Sequence, residues 1–173
     1  MKLPADCPYS IKLPPQDAAE RIACCRAQGR YRLLREDEEP LCRTIRTEAE
    51  VYRFTWRSSC NGDAVGRIGR QGDESTLRCF YRPSKFGDAD RRKVPLSLAN
   101  WARLQDALIA ASFWALGPEE RRLGLDGSDW LIEGRRKDIF WVVSRWSPRG
   151  AVHDLGEVFF ELAGPPLAAV KIY

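Results

Sequence analysis

Val51-Tyr52-Arg53-Phe54-Thr55-Trp56 alternates large apolar groups with polar or charged ones. Tyr52, Phe54 and Trp56 fall on one side of an extended chain, and Arg53, Thr55 and Arg57 on the other. Side chains of a strand alternate with a period of two, so the stretch reads as a strand with one core face. Downstream, Ser58-Ser59-Cys60-Asn61-Gly62-Asp63 is rich in turn formers. Residues 64–70 and 75–82 read as two further strands joined by Gln71-Gly72-Asp73. Links this short join antiparallel neighbours, so the three strands form a meander. Arg53, Arg67, Arg78 and Arg82 are then expected to make a basic stripe on its solvent side.

Outward from the meander the pattern changes. Residues 83–95 carry Pro83, Gly87 and Pro95 and read as a polar loop. Ser97 is a good helix N-cap, and Leu98, Trp101, Leu104, Leu108, Ala111 and Phe113 track one helical face. Leu116-Gly117-Pro118 stops that helix, placing Trp101 and Trp114 in the core. Residues 128–133 and 138–146 read as a hairpin around Gly134-Arg135-Arg136-Lys137. Residues 152–163 read as a last helix with Leu155, Val158, Phe159 and Leu162 inward.

On the other side of the meander, residues 1–16 hold Pro4, Pro8, Pro14 and Pro15 and read as an extended arm. Asp17 with Glu20 forms a capping-box pattern that begins a helix running to about Gln28. Glu36-Asp37-Glu38-Glu39-Pro40 is an acidic loop. The whole is an α+β chain: an antiparallel sheet of about five strands with two or three helices packed on one face. Residues 1–173 form one domain, with an N-terminal arm and helix over 1–50 and a core over 51–173.

Bulk composition narrows the function classes. With 44% hydrophobic and 30% charged residues the chain is globular rather than disordered. A net charge of +4 falls short of the strongly basic balance of nucleic-acid-binding domains. No apolar run reaches the length of a transmembrane helix. The first residues lack the apolar core of a secretory signal, which points to the cytoplasm. A chain from which a leader has been removed would instead be periplasmic. Cys7, Cys24, Cys25, Cys42, Cys60 and Cys79 all lie in the first half. They show no C-x-x-C spacing, and His153 is the only histidine, so a structural zinc site is not expected. Free thiols or one to three disulfides remain open.

Tyr52-Arg53-Phe54-x-Trp56, Trp101, Phe113-Trp114, Gly124-Leu125-Asp126-Gly127-x-x-Trp130-x-x-Glu133 and Arg145-Trp146-Ser147-Pro148 span about residues 51–163. Together they resemble an uncharacterised bacterial protein family, one with no established function. Its members often begin with a leader for export or lipid attachment. The present sequence lacks that leader and carries Cys60-Asn61 where similar chains have an aromatic or His pair. Residues 1–50 are outside the resemblance.

No constellation of residues announces a reaction. Asp126 and Glu133 would be roughly 20 Å apart along a strand, and Asp129 and Glu133 about 13 Å. Paired glycosidase carboxylates stand about 5–9 Å apart. A hairpin centred on Arg135-Arg136 puts Arg145 opposite Asp126, where a two-point ion pair would close its open end. The glycines Gly62, Gly66 and Gly69 lead into a strand rather than a helix, so no phosphate cradle is expected. His153 has no neighbouring nucleophile signature.

These exclusions point to a non-catalytic protein-binding protein without a cofactor. Its concrete form is an immunity protein that neutralises a cognate bacterial toxin, the partner being a secreted toxin or effector. Glu36, Asp37, Glu38 and Glu39 together with Arg53, Arg67 and Arg78 are the expected partner surfaces, since charge complementarity drives such recognition. Two alternatives stand beside this one: an exported envelope protein with disulfides, and an enzyme with a site assembled around His153.

Overall fold

A computed structural model of the chain describes Leu41 and residues 49–84, 87–120, 124, 126–137 and 139–172. The arm, the helix expected over 17–28, the acidic loop and Cys7, Cys24, Cys25 and Cys42 lie outside the described residues.

The strands are β1 (Glu50–Ser58), β2 (Asp63–Gln71), β3 (Glu74–Arg82), β4 (Asp90–Leu96), β5 (Ser128–Arg136) and β6 (Ile139–Trp146). They form one sheet in the order β4-β3-β2-β1-β5-β6, antiparallel at every step. Among the described residues two helices complete the α+β fold, α1 (Leu98–Ala110) and α2 (Ala151–Ala163).

Among the described residues the sheet has six strands, not five. The additional one is β4, read from sequence as a loop. Its Arg91, Arg92, Lys93 and Pro95 hide the strand pattern, yet charges and proline are what an edge strand tolerates. The β5–β6 hairpin also turns later than expected. Arg136 pairs with Ile139, and Lys137 takes the left-handed φ of 54° at the turn. Gly134 therefore lies inside β5, where a Cβ would stand 2.6 Å from the Phe113 ring. Gly134 serves close packing here, not turning.

One sheet face and both helices build the main core. Tyr52 meets Trp101 of α1 with ring centroids 6.1 Å apart, and Phe54 stacks on Phe159 of α2 at 5.5 Å. Tyr52 and Phe54 are two residues apart on β1, so α1 and α2 cover the same face. Trp56 joins them by an edge contact to Phe160 at 5.4 Å. Complete burial of each such ring contributes about 1.5–3 kcal/mol. Trp101 is buried in this core, and Trp114 packs against it half-buried. Ser97 caps α1, its Oγ accepting from the Asn100 N–H at 3.2 Å.

The opposite face departs from the solvated stripe expected of it. Val51, Arg53, Thr55, Leu131, Glu133 and Val142 are all fully buried there. Arg67 and Arg135 are each only 8% exposed. Leu41 is likewise fully buried and stands outside the helix-side core. Exposure on this face returns at β3 and β4, where Arg78, Arg91 and Lys93 reach solvent. Among the described residues, no helix is long and apolar enough to cross a membrane.

Candidate functional site

Strand register aligns the basic residues across the sheet. Lys93 of β4 stands opposite Arg78 of β3, Arg78 opposite Arg67 of β2, and Arg67 opposite Arg53 of β1. Glu133 of β5 flanks Arg53 on its other side. The inner half of this row is closed. Arg53 donates from Nε to Glu133 Oε2 at 2.5 Å and from Nη2 to Oε1 at 2.7 Å. Such a fork-to-carboxylate geometry lets both charges be buried. Arg53 and Arg67 are therefore interior groups, which corrects their expected place on a partner-facing surface.

The outer half of the row is open. Arg78 and Lys93 are exposed and have no carboxylate partner among the described residues. Beside them, Arg91 lies over the Phe80 ring at 5.3 Å, and Arg92 pairs with Asp90 at 2.7 Å. On β3, Arg82 is bound to Asp63 at 2.7 Å. Of the expected surface residues, Arg78 alone is placed on a surface. Glu36, Asp37, Glu38 and Glu39 lie outside the described residues. Arg91, Arg92 and Lys93 were missed because their segment read as a loop; a run of three cations before a proline was the available signal.

A cleft of about 810 Å³ opens at the end of the sheet where the β1–β2 turn, the start of β5, the end of β6 and the start of α2 meet. Cys60, Asn61, Asp126, Trp146, Arg149 and His153 are among its lining residues. His153 Nε2 donates to the Ile172 carbonyl at 3.2 Å, since a carbonyl can only accept. Its ring lies 5.5 Å from that of Trp130. His153 Nδ1 stands 3.7 Å from Asp154 Oδ1 and 3.8 Å from Glu157 Oε2. Among the described residues these three form the group that could take a cation, with ligand atoms within 4.8 Å of one another. Cys60 Sγ contacts Ser59 Oγ at 3.5 Å. The cleft thus brings a thiol and an imidazole together, but no thiol–imidazole hydrogen bond joins them among the described residues.

Arg145 does not bridge to Asp126, because the register sets it opposite Trp130. Its guanidinium donates to the carbonyls of Ser144 at 2.7 Å and Gly117 at 2.9 Å, with Glu120 at 3.4 Å. Burial pulls this guanidinium below its ordinary value, and Glu120 opposes the shift. Along the same edge the Ser144 N–H donates to the Pro118 carbonyl at 2.7 Å. Asp126 is left exposed at the cleft. The glycines of the Gly124–Gly127 turn accommodate Trp146, since a Cβ on Gly124 would stand 2.3 Å from its Nε1.

No protein-family model and no curated protein matches the sequence.

Proposed function

We propose that the chain is a non-catalytic protein-binding protein, and that its concrete role is that of an immunity protein neutralising a cognate bacterial toxin. The observation that carries this reading is the open outer half of the cationic row. Arg78 and Lys93 face each other across β3 and β4 without a carboxylate among the described residues, in contrast to Arg53, which Glu133 neutralises. Like charges directly opposite in a sheet oppose its stability. A surface kept in that state suits an acidic partner, whose carboxylates supply the missing counter-charge. Two chemistry-bearing groups elsewhere are engaged by neighbours: His153 Nε2 by the Ile172 carbonyl, and Glu133 by Arg53.

Co-production with the product of each neighbouring reading frame tests the proposal. The expected result is a frame whose product arrests growth alone and is tolerated beside this chain. Tolerance should be lost with Arg78→Glu combined with Lys93→Glu. A toxic neighbour that this chain leaves fully toxic, or the absence of any toxic neighbour, contradicts the immunity role. Protection unchanged by the double charge reversal contradicts the surface.

A further inference from the structure

Strand β4 ends the sheet and has one strand neighbour, β3, among the described residues. The opposite edge is different: residues 118–119 run beside β6, with Glu119 bridging Ser144. An edge that the described residues leave uncovered offers a row of backbone N–H and C=O groups to an extended chain that can lie along it. Side-chain charge then decides which chain that is. On one face of the β3–β4 ribbon stand Arg78, Arg91 and Lys93, and on the other Arg92 reaches the Pro165 carbonyl.

A second copy of β4 is the wrong occupant, because edge-to-edge pairing would set two Arg91-Arg92-Lys93 runs against each other. An acidic strand meets the opposite condition. Arg91 and Lys93 are two residues apart and project to the same side about 7 Å apart. A strand bearing carboxylates at alternate positions matches that spacing. Pro95 has no N–H, which confines pairing to the part of β4 before it.

We infer that β4 is an acceptor edge for an extended acidic segment of another protein, which adds as a further strand with its carboxylates facing Arg91, Lys93 and Arg78. The inference rests on the protein-binding reading above and names the partner's chemistry and mode of attachment.

A fluorescently labelled peptide alternating glutamate and valine is the probe, titrated against the whole chain and followed by anisotropy. Binding is expected to weaken at least about tenfold with Arg78→Glu plus Lys93→Glu, and to fall steeply with added salt. Arg57→Glu, an exposed charge reversal on β1, should leave it unchanged. N-methylation of alternate peptide amides should abolish binding in one of the two registers, and amide exchange at residues 90–94 should slow in the complex. Three results overturn the inference: no binding of the acidic peptide, equal binding of a lysine–valine peptide, or insensitivity to N-methylation in both registers. In each of those cases the basic run serves only to keep other edges away. The two proposals fail separately. Toxin protection with no peptide binding sinks strand addition alone, and peptide binding with no toxic neighbour sinks the immunity role alone.

Discussion

Arg53 and Glu133 form a two-point ion pair between adjacent strands, with no exposed side-chain area on either partner. Each charge alone would carry a desolvation cost of several kcal/mol, so the pair is tolerated because both members are present. Glu133→Leu or Arg53→Met should therefore destabilise the fold by about 3–5 kcal/mol. Combining Arg53→Met with Glu133→Leu should cost much less than the sum of the two single changes, because the two opposed charges are removed together. Urea unfolding of all four proteins measures the coupling. Additive losses would show that the two side chains do not depend on each other.

Three glycines separate close packing from ordinary contact. A Cβ on Gly156 would stand 2.0 Å from the Trp130 ring, and one on Gly134 would stand 2.6 Å from the Phe113 ring. A Cβ on Gly66 would meet Leu77 and Phe159 at 3.6 Å. Gly156→Ala gains helix propensity of roughly 1 kcal/mol. The clash with a buried indole outweighs it, and a net loss of about 1–3 kcal/mol is expected. Gly134→Ala should lose a similar amount, and Gly66→Ala should stay within about 0.5 kcal/mol of the parent. Denaturant midpoints rank the three. A Gly156→Ala protein as stable as the parent would mean that α2 shifts freely over Trp130.

The period-two stretch at Tyr52-Arg53-Phe54 already placed β1 and its core face, and the same pattern placed β2 and β3. Ser97 and the apolar stripe from Trp101 to Leu108 located α1. Local pattern failed where the controlling partner was remote. Gly134 looks like a turn residue until Phe113 is found against it, so the hairpin register slipped. Arg53 looks solvated because polarity alone cannot reveal Glu133 on a neighbouring strand. The Arg78–Lys93 pairing was out of reach for a different reason: β4 has the charges of a loop, and only strand pairing turns them into a cross-strand row.

Burial, reinforced by the Glu50 carboxylate, raises the Tyr52 phenol above its ordinary 10.0. In the unfolded chain the phenol loses its proton near that value, whereas in the folded chain it stays neutral. Its contribution to stability is thus fully present below about pH 10 and is lost as pH rises toward the folded-state value. Within that window the loss approaches 1.4 kcal/mol per pH unit for one proton. Tyr52→Phe should be less stable at neutral pH, since it lacks the hydrogen bond to Glu50 at 3.1 Å. It should nevertheless fall less steeply between pH 10 and 11. Equal slopes for the two proteins would place Tyr52 ionisation outside the folding equilibrium.

Cys60 and Cys79 occupy opposite environments, and thiol chemistry should resolve them. Cys60 is exposed in the β1–β2 turn. Cys79 is buried on β3, where desolvation raises its thiol; the Arg92 guanidinium opposes the shift and Asp90 adds to it. The thiolate is the reactive form, so burial suppresses Cys79 through both access and ionisation. At mildly alkaline pH, Cys60→Ser should remove a rapidly labelled thiol from the reaction with a disulfide reagent. Cys79→Ser should leave the fast phase intact and lower the total only after denaturation. Because each variant is compared with the parent, the remaining cysteines cancel. Loss of the fast phase in Cys79→Ser would show that β3 opens readily to solvent, which is incompatible with a firm β3–β4 ribbon as a docking edge.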